Sequence, residues 1–249
     1  MRASKWWILA VLVLVFLQST HGWSNGWSSP TQIPCYPQSN VTQQMPPEIG
    51  VDTKGNVLAV WISQEKAGNV IVASRYDIRT RLWSIPVQIG VNCLEGPRLA
   101  VAQDGNAIVV WKKLHEGKEQ LFFNVYHDDW ATENALHVSS SSNDRHPSVG
   151  VDALGNAIVV WQAQLDANVD GKSVTVIRAS TYQFANASFS PIVDLSTDNS
   201  PQAQAYVGQP QVAVNASGKA VVVWRYYDGG VTAKPFRIQS NTLESGHWG

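Results

Sequence analysis

One fifteen-residue motif occurs four times in this chain and restricts the folds that it can adopt. The copies are PEIGVDTKGNVLAVW, PRLAVAQDGNAIVVW, PSVGVDALGNAIVVW and PQVAVNASGKAVVVW, and they begin at Pro47, Pro97, Pro147 and Pro210. Their spacings of 50, 50 and 63 residues match the period of stacked supersecondary units such as propeller blades. The motif therefore predicts about four repeats of one small β unit.

Each repeat contains four strand-like segments, which we name strands a, b, c and d. Strands a and b flank a turn, and its shared glycine (Gly55, Gly105, Gly155 or Gly218) supplies the positive φ of a tight hairpin. Strand b consists almost entirely of Val, Ile, Ala and Leu, which is typical of a strand covered on both faces. The sequence thus predicts an all-β propeller of four-stranded antiparallel blades of about 50 residues.

A tryptophan ends strand b in every repeat, at Trp61, Trp111, Trp161 and Trp224. We favour the interpretation that these side chains fill the space between blades, and the alternative is a ring of aromatic ligand contacts. The segment NGWSSPTQIP resembles a strand d that no strand a, b or c precedes. We expect it to complete the fourth blade and close the ring, and the alternatives are a longer ring made by several chains or an incomplete sequence.

The N-terminus has the features of a signal peptide. Basic residues precede twelve apolar residues, Trp6 to Leu17, and small residues follow them. The sequence predicts a signal peptide at 1–22, a single propeller-like domain at 23–249, and a secreted, periplasmic or cell-surface location. The apolar run is shorter than the roughly 20 residues of a membrane span, although an uncleaved anchor remains an alternative.

Charge and cysteine content limit the partners further. The net charge is −1 and the sequence has no cluster of basic residues, so we expect no nucleic-acid partner. Cys35 and Cys93 follow related segments, WSSPTQIPC and WSIPVQIGVNC, and could form a disulfide in an oxidising compartment or remain two separate thiols. We expect no cofactor and no metal, because Asp52, Asp104 and Asp152 in the a–b turns are ordinary turn residues.

The connections b–c and d–a lie at one end of such a blade, and we call this end the loop face. The third repeat is 13 residues longer than the first two, and all of its extra residues fall in these two connections. Function on repeat scaffolds tends to lie in loops of this kind, although neutral drift is an alternative explanation. The candidate residues for binding a glycan or a protein are Tyr36, Glu95, His115, Arg145, His146, Tyr206, Gln209, Tyr226 and Tyr227.

The repeat also resembles a known family. The pattern of a Pro-led strand, a glycine hairpin, an apolar strand and a Trp-Ser-x-Pro strand, as in LWSIPVQI, is similar to the blades of sialidase-like β-propellers. Asp77, Leu82 and Trp83 retain a trace of the Asp box of that family, without its glycine. The resemblance implies a propeller fold. It also implies a catalytic set of three arginines, a tyrosine with a glutamate partner and an acid, for which Arg98 lies near the place of one arginine.

The sequence therefore predicts an exported, non-enzymatic binding or scaffold module that uses its propeller loops to bind a glycan or a protein. A sialidase-like glycoside hydrolase, or a degenerate relative of one, is the alternative. A structural surface protein is a further alternative. Arg75 and Arg178 are the nearest approach to a repeated arginine, and three arginines converging in one pocket would favour the enzyme.

Overall fold

The structure is a computed structural model, and it describes residues 29–34, 40–41, 45–137, 142–165, 174–196, 206–227 and 236–249. The chain divides into two compact units, Met1–Gln32 and Ile33–Gly249. Every described strand lies in the second unit, and the described residues contain no helix. No described segment is a helix that is long and apolar enough to cross a membrane.

Twenty strands in the described residues form four antiparallel sheets. The first sheet contains β1 (Asn40–Val41), β2 (Glu48–Val51), β3 (Val57–Glu65), β4 (Gly68–Asp77), β5 (Leu82–Trp83) and β6 (Val87–Val91). The second contains β7 (Arg98–Val101), β8 (Ala107–His115), β9 (Lys118–His127), β10 (Asp129–Trp130) and β11 (Asn134–Ala135). The third contains β12 (Ser142–Val151), β13 (Ala157–Leu165), β14 (Val174–Gln183), β15 (Ser188–Phe189) and β16 (Val193–Asp194). The fourth contains β17 (Tyr206–Val214), β18 (Ala220–Tyr227), β19 (Arg237–Glu244) and β20 (His247–Trp248).

Each sheet is the predicted meander of strands a, b, c and d, with strand d divided in two in the first three sheets. The all-β prediction of four repeated four-stranded units is confirmed. The turn glycines Gly55, Gly105, Gly155 and Gly218 have φ of 88°, 98°, 87° and 81°, a conformation that costs other residues energy.

Neighbouring sheets pack face to face, and the strand-b tryptophans lie between them. Val60 and Ile62 of the first sheet form one buried cluster with Trp111 of the second. A Cβ on Gly90 would lie 2.5 Å from Cζ2 of Trp111, so the indole rests directly on the backbone of the first sheet. These tryptophans fill the space between sheets, because the apolar strands cannot bury both faces within one sheet.

The innermost strands approach each other through a small residue. In strand a, a Cβ on Gly150 would lie 2.7 Å from Cγ2 of Val214 in the fourth sheet. Gly50 meets Val101 of the second sheet in the same way. A glycine or alanine in one sheet therefore receives the valine of the next sheet, and this contact recurs along the molecule.

Aspartates of the a–b turns accept hydrogen bonds from residues of their own turns. Asp52 Oδ1 accepts hydrogen bonds from the backbone N–H groups of Lys54 and Asn56 at 2.9 and 2.8 Å, and its Oδ2 accepts one from Asn56 Nδ2 at 2.7 Å. Asp152 makes the equivalent three bonds in the third repeat. Burial acts to raise the pKa of Asp52, but the bonds from Asn56 and Lys54 hold it below its ordinary value of 3.8.

Asp52→Ala is expected to lower the free energy of unfolding by about 1–2 kcal/mol at neutral pH, because three turn donors lose their charged acceptor. Since the pKa is depressed in the folded state, this contribution is present above the ordinary pKa and is lost as the pH falls through the folded value. Urea denaturation measures the effect. Asp104→Ala is the control, because Asp104 accepts two hydrogen bonds among the described residues, from the backbone N–H and from Nδ2 of Asn106. An equal loss in both variants would contradict the prediction.

The four sheets do not close on themselves within the described residues. Strand-to-strand contacts join the first sheet to the second, the second to the third and the third to the fourth, and no comparable strand-to-strand contact joins the fourth sheet to the first. The fourth sheet has its own outer strand, in which Trp248 pairs with Leu243. Residues 29–34 belong to no strand. The expected completion of the fourth sheet by the N-terminal segment is therefore not observed in this part of the chain.

Cys93 is a buried free thiol that donates a hydrogen bond to the backbone oxygen of Glu95 at 2.5 Å. Burial raises the pKa of this thiol to about 12, which suppresses the thiolate that disulfide exchange requires. Cys35 lies outside the described residues, so its pairing with Cys93 stays a prediction.

Candidate functional site

Two strand-a bulges shape the loop face. The register of β12 with β13 shifts between Arg145 and Ser148, and that of β17 with β18 shifts between Gly208 and Gln211. His146 and Gln209 lie at these bulges with φ of 52° and 54°. A bulge redirects the side chains beside it, so each of these residues is set apart from the regular alternation of its strand.

A charged network joins three of the predicted residues: Glu95, Arg145 and His146. Lys112 Nζ contacts Glu95 Oε1 at 2.5 Å and Glu119 Oε1 at 3.0 Å. Glu119 also accepts a hydrogen bond from Arg145 Nε, and His146 Nδ1 lies 3.8 Å from Glu95 Oε2. The sequence analysis missed Lys112 and Glu119, which hold this network together.

The network keeps Glu119 ionised. Burial acts to raise the pKa of Glu119, but Lys112 and Arg145 outweigh it and lower the pKa below its ordinary value. A general acid in glycoside hydrolysis needs the opposite shift, because it must hold a proton near neutral pH. Glu119 is therefore suited to fixing Lys112 and Arg145 rather than to donating a proton.

A second cluster, at the loop face of the third and fourth sheets, is centred on Arg225. Arg225 Nη1 donates a hydrogen bond to Gln209 Oε1 at 2.8 Å, and the guanidinium carbon lies 4.2 Å from the centre of the Phe236 ring. Tyr227 packs against Phe236 with 5.4 Å between ring centres. Within the described residues, no carboxylate forms an ion pair with Arg225.

Tyr206 links this cluster to the third sheet. Its hydroxyl donates a hydrogen bond to Gln162 Oε1 at 3.1 Å, and its backbone pairs with Tyr227. Gly208 leaves room for this contact, because a Cβ there would displace the hydroxyl of Tyr206 and the amide of Gln162. Tyr206 and Gln209 are thus held in place by the sheet rather than by a free loop.

One sequence signal could have revealed the missed residues. The position directly after the strand-b tryptophan is occupied by Ile62, Lys112, Gln162 and Arg225 in the four repeats. Polar side chains at the end of an otherwise apolar strand mark a departure from simple packing. Phe236, by contrast, carries no pattern that separates it from a core aromatic residue.

The remaining candidates lie elsewhere or cannot be placed. His115 packs edge-on against Phe122 at 5.6 Å between ring centres, at the end of β8. Tyr226 packs at the margin of the core between the third and fourth sheets. Tyr36 lies outside the described residues. The eight predicted residues that the structure describes therefore do not form a single site.

The arginines are scattered rather than convergent. Four arginines bind four different carboxylates, in the pairs Arg75–Asp52 (3.9 Å), Arg98–Glu48 (2.7 Å), Arg145–Glu119 and Arg178–Asp194 (2.9 Å). Arg75 and Arg178 also differ in register, because Arg75 pairs with Leu58 whereas Arg178 pairs with Trp161. This arrangement gives no support to a carboxylate-binding arginine trio.

A groove of about 420 Å³ lies at the opposite end, between the outer strands of the first two sheets. It is lined by Trp83 and Trp130, which pack against Tyr76 and Tyr126 with 5.4 Å between ring centres in each pair. Asp77, part of the Asp-box trace, also lines it and accepts hydrogen bonds from its own turn. In the described part of the chain, no group of three or more His, Cys, Asp or Glu side chains is placed to hold a metal ion.

Comparison with known proteins identifies the class of fold. No protein-family model matches the chain, and no curated protein matches it significantly in sequence. An ulvan lyase of a new polysaccharide lyase family aligns with a TM-score of 0.53 and 11% identity, over 81% of this chain and 56% of that one. A Hadza microbial sialidase aligns with a TM-score of 0.50 and 12% identity, over 82% of this chain and 45% of that one.

The chain spans about half the length of these two structures. At such low identity the similarity establishes the fold alone. Together with the four repeated meanders, it defines this protein as a β-propeller-type protein whose structural neighbours include polysaccharide lyases and sialidases.

Proposed function

We propose that this protein is an exported propeller module that binds an acidic glycan, without cleaving it, at the loop face of the third and fourth sheets. The observation that carries the proposal is the environment of Arg225. Its partners among the described residues are the amide of Gln209 and the ring of Phe236. A guanidinium that is oriented but not neutralised can bind a carboxylate or a sulfate through two parallel hydrogen bonds.

The groups around Arg225 suit a sugar. Phe236 is more than half exposed and Tyr227 packs beside it, so together they offer an apolar platform for the C–H face of a pyranose ring. Gln209 and Tyr206 supply an amide and a hydroxyl for sugar hydroxyls. Export by the predicted signal peptide at 1–22 would bring this surface to extracellular polysaccharides.

One observation favours the hydrolase alternative, and the charge of the site opposes it. Glu95 and Glu119 share Lys112 Nζ, which places their Oε1 atoms within about 5.5 Å of each other. Retaining glycosidases use two carboxyl groups about 5–5.5 Å apart. The lowered pKa of Glu119 removes one candidate acid, however, and the four paired arginines leave no convergent substrate clamp.

Binding of the folded, exported protein to an array of sialylated, uronic-acid and sulfated glycans, followed by calorimetry, tests the proposal. We expect saturable binding to an acidic glycan, and Arg225→Gln is expected to weaken it at least about tenfold through loss of a charge-assisted contact. The bound glycan is also incubated with the protein for a long period and then analysed for cleavage.

Two matched variants locate the site. Arg79→Gln removes a highly exposed arginine of a c–d turn, and Trp83→Ala removes an aromatic residue of the opposite groove; both are expected to leave affinity unchanged. The proposal would be refuted by a blank array from folded protein, by equal affinity of Arg225→Gln, or by cleavage of the bound glycan.

A further inference from the structure

We propose that the fourth sheet of one copy binds the first sheet of a second copy, so that two chains complete one ring. The proposal rests on repeated contacts between sheets rather than on the glycan site, although the apolar face that it uses adjoins Arg225, which pairs with Ile238. Each internal sheet uses one face to receive the sheet before it and the other face to receive the sheet after it. The fourth sheet leaves one of these faces uncovered, and the first sheet leaves the part of one face at its inner strand uncovered.

The uncovered face of the fourth sheet keeps the apolar residues of an interface. Val221, Val223 and Ile238 are 48%, 37% and 69% exposed. The positions equivalent to them in the first three sheets are at most 4% exposed, namely Leu58, Val60 and Ile71, then Ile108, Val110 and Leu121, then Ile158, Val160 and Ile177. In the third sheet these side chains are covered by the fourth.

The first sheet has matching exposed apolar side chains on its inner strand. Ile49 and Val51 of β2 are 68% and 60% exposed, whereas the equivalent residues of β7, β12 and β17 are half-buried against the preceding sheet. Large apolar side chains at this level of exposure mark an interaction surface when they form one patch.

The small residue that receives a valine is also present and unoccupied. Gly50 receives Val101, and Gly150 receives Val214. Ala213 holds the same position in the fourth sheet and is exposed, while the equivalent Ala100 is buried. Val51 of a second copy fits against Ala213 as Val214 fits against Gly150.

The outer half of the same face of the first sheet is already covered, by a residue that lies before the sheet in the sequence. Ile33, from the segment PTQIP, packs against Trp61 and Val72. Ile89, from the related segment PVQIG, packs in the same way against Trp111 and the second sheet. Ile33 thus takes the place of a preceding outer strand, and the inner half around Val51 is left for a fourth sheet to cover.

The partner that fits this surface is a second copy. Its first sheet carries the strand-a valine that would repeat, against the fourth sheet, the contact seen between neighbouring sheets within one chain. These residues do not cover each other within one copy, since Val221 and Val223 of the fourth sheet and Val51 of the first are all exposed in the same molecule. A head-to-tail contact generates a closed ring or an open fibre. Two copies give eight sheets, and closed propellers have about 4–8 blades, so a two-chain ring is the closed form that the geometry permits.

Analytical ultracentrifugation of the folded chain over a concentration series tests the mass. We expect a two-chain species, which Val221→Asp and Val51→Asp should each convert to one chain, with a dissociation constant at least about 100-fold higher for a buried charge. Leu154→Asp is the control, because Leu154 is 80% exposed in an a–b turn. Circular dichroism checks that each variant is folded.

A cross-link tests the register directly. The built Cβ of Gly150 lies 3.4 Å from Cβ of Val214, close to the separation of about 3.5–4.5 Å in a disulfide. Mixing Ala213→Cys protein with Val51→Cys protein should therefore give a covalent two-chain product, which neither gives alone. Ala213→Cys mixed with Leu154→Cys is the matched control.

A single-chain mass at every concentration would overturn the proposal and would point to further repeats of a longer chain as the occupant. A two-chain mass that survives both aspartate variants, or an open-ended series of masses, would also overturn it. None of the assembly variants changes Arg225, Gln209 or Phe236. Measuring both the mass and the glycan affinity of Val221→Asp and of Arg225→Gln therefore distinguishes loss of assembly from loss of glycan binding.

Discussion

Replacing Trp111 with alanine is expected to lower the free energy of unfolding by about 3–5 kcal/mol, the range for a fully buried large aromatic side chain. The indole is completely buried between the first and second sheets and rests on the backbone at Gly90. The rigid strands on both sides cannot collapse into the space, so the cavity persists. Chemical denaturation followed by far-UV circular dichroism measures the loss.

Trp61→Ala is the matched comparison, because Trp61 holds the same position in the first repeat. Its described neighbours on that face are Ile33 and the residues of its own sheet, without a second sheet across it. We expect a smaller loss than for Trp111→Ala. An equal loss, or a loss below about 1 kcal/mol for Trp111→Ala, would contradict the interpretation that these tryptophans join the sheets.

Asp144→Asn is expected to stabilise the protein at pH 7.5 by on the order of 3 kcal/mol and to have little effect near pH 4. Burial raises the pKa of Asp144 from 3.8 to about 6, although the charge of Arg178 acts in the opposite direction. The folded state therefore binds this proton more tightly than the unfolded chain. The free energy of unfolding falls as the pH rises between these two pKa values and stays lower above them.

Urea denaturation of the wild type and of Asp144→Asn at the two pH values measures the difference. Asparagine keeps the shape of the side chain and its acceptor for Ser142, whose Oγ lies 3.4 Å from Asp144 Oδ1, but it cannot ionise. The same stability difference at both pH values would show that the effect comes from packing rather than from titration of the buried carboxyl group.

The candidate site was only partly accessible from the sequence. Glu95, Arg145 and His146 were predicted from their place in the loops, and the structure brings them together through Lys112 and Glu119. Arg225 was missed, although Tyr226 and Tyr227 beside it in the same strand were predicted. Its contact with Gln209 depends on a β-bulge, and no local sequence pattern predicts a bulge of this kind.

The sequence by itself determined the repeat, the a–b hairpins and the apolar strand b, because each of these depends on residues close together in the chain. A turn glycine, an aspartate that caps its own turn and an apolar run rich in Val and Ile act locally. Only the tertiary structure decided which sheets meet, which charges pair and which apolar faces stay uncovered. These depend on distances between residues about 50 positions apart, and four nearly identical repeats give no local reason why Val223 should be exposed while Val60 is buried.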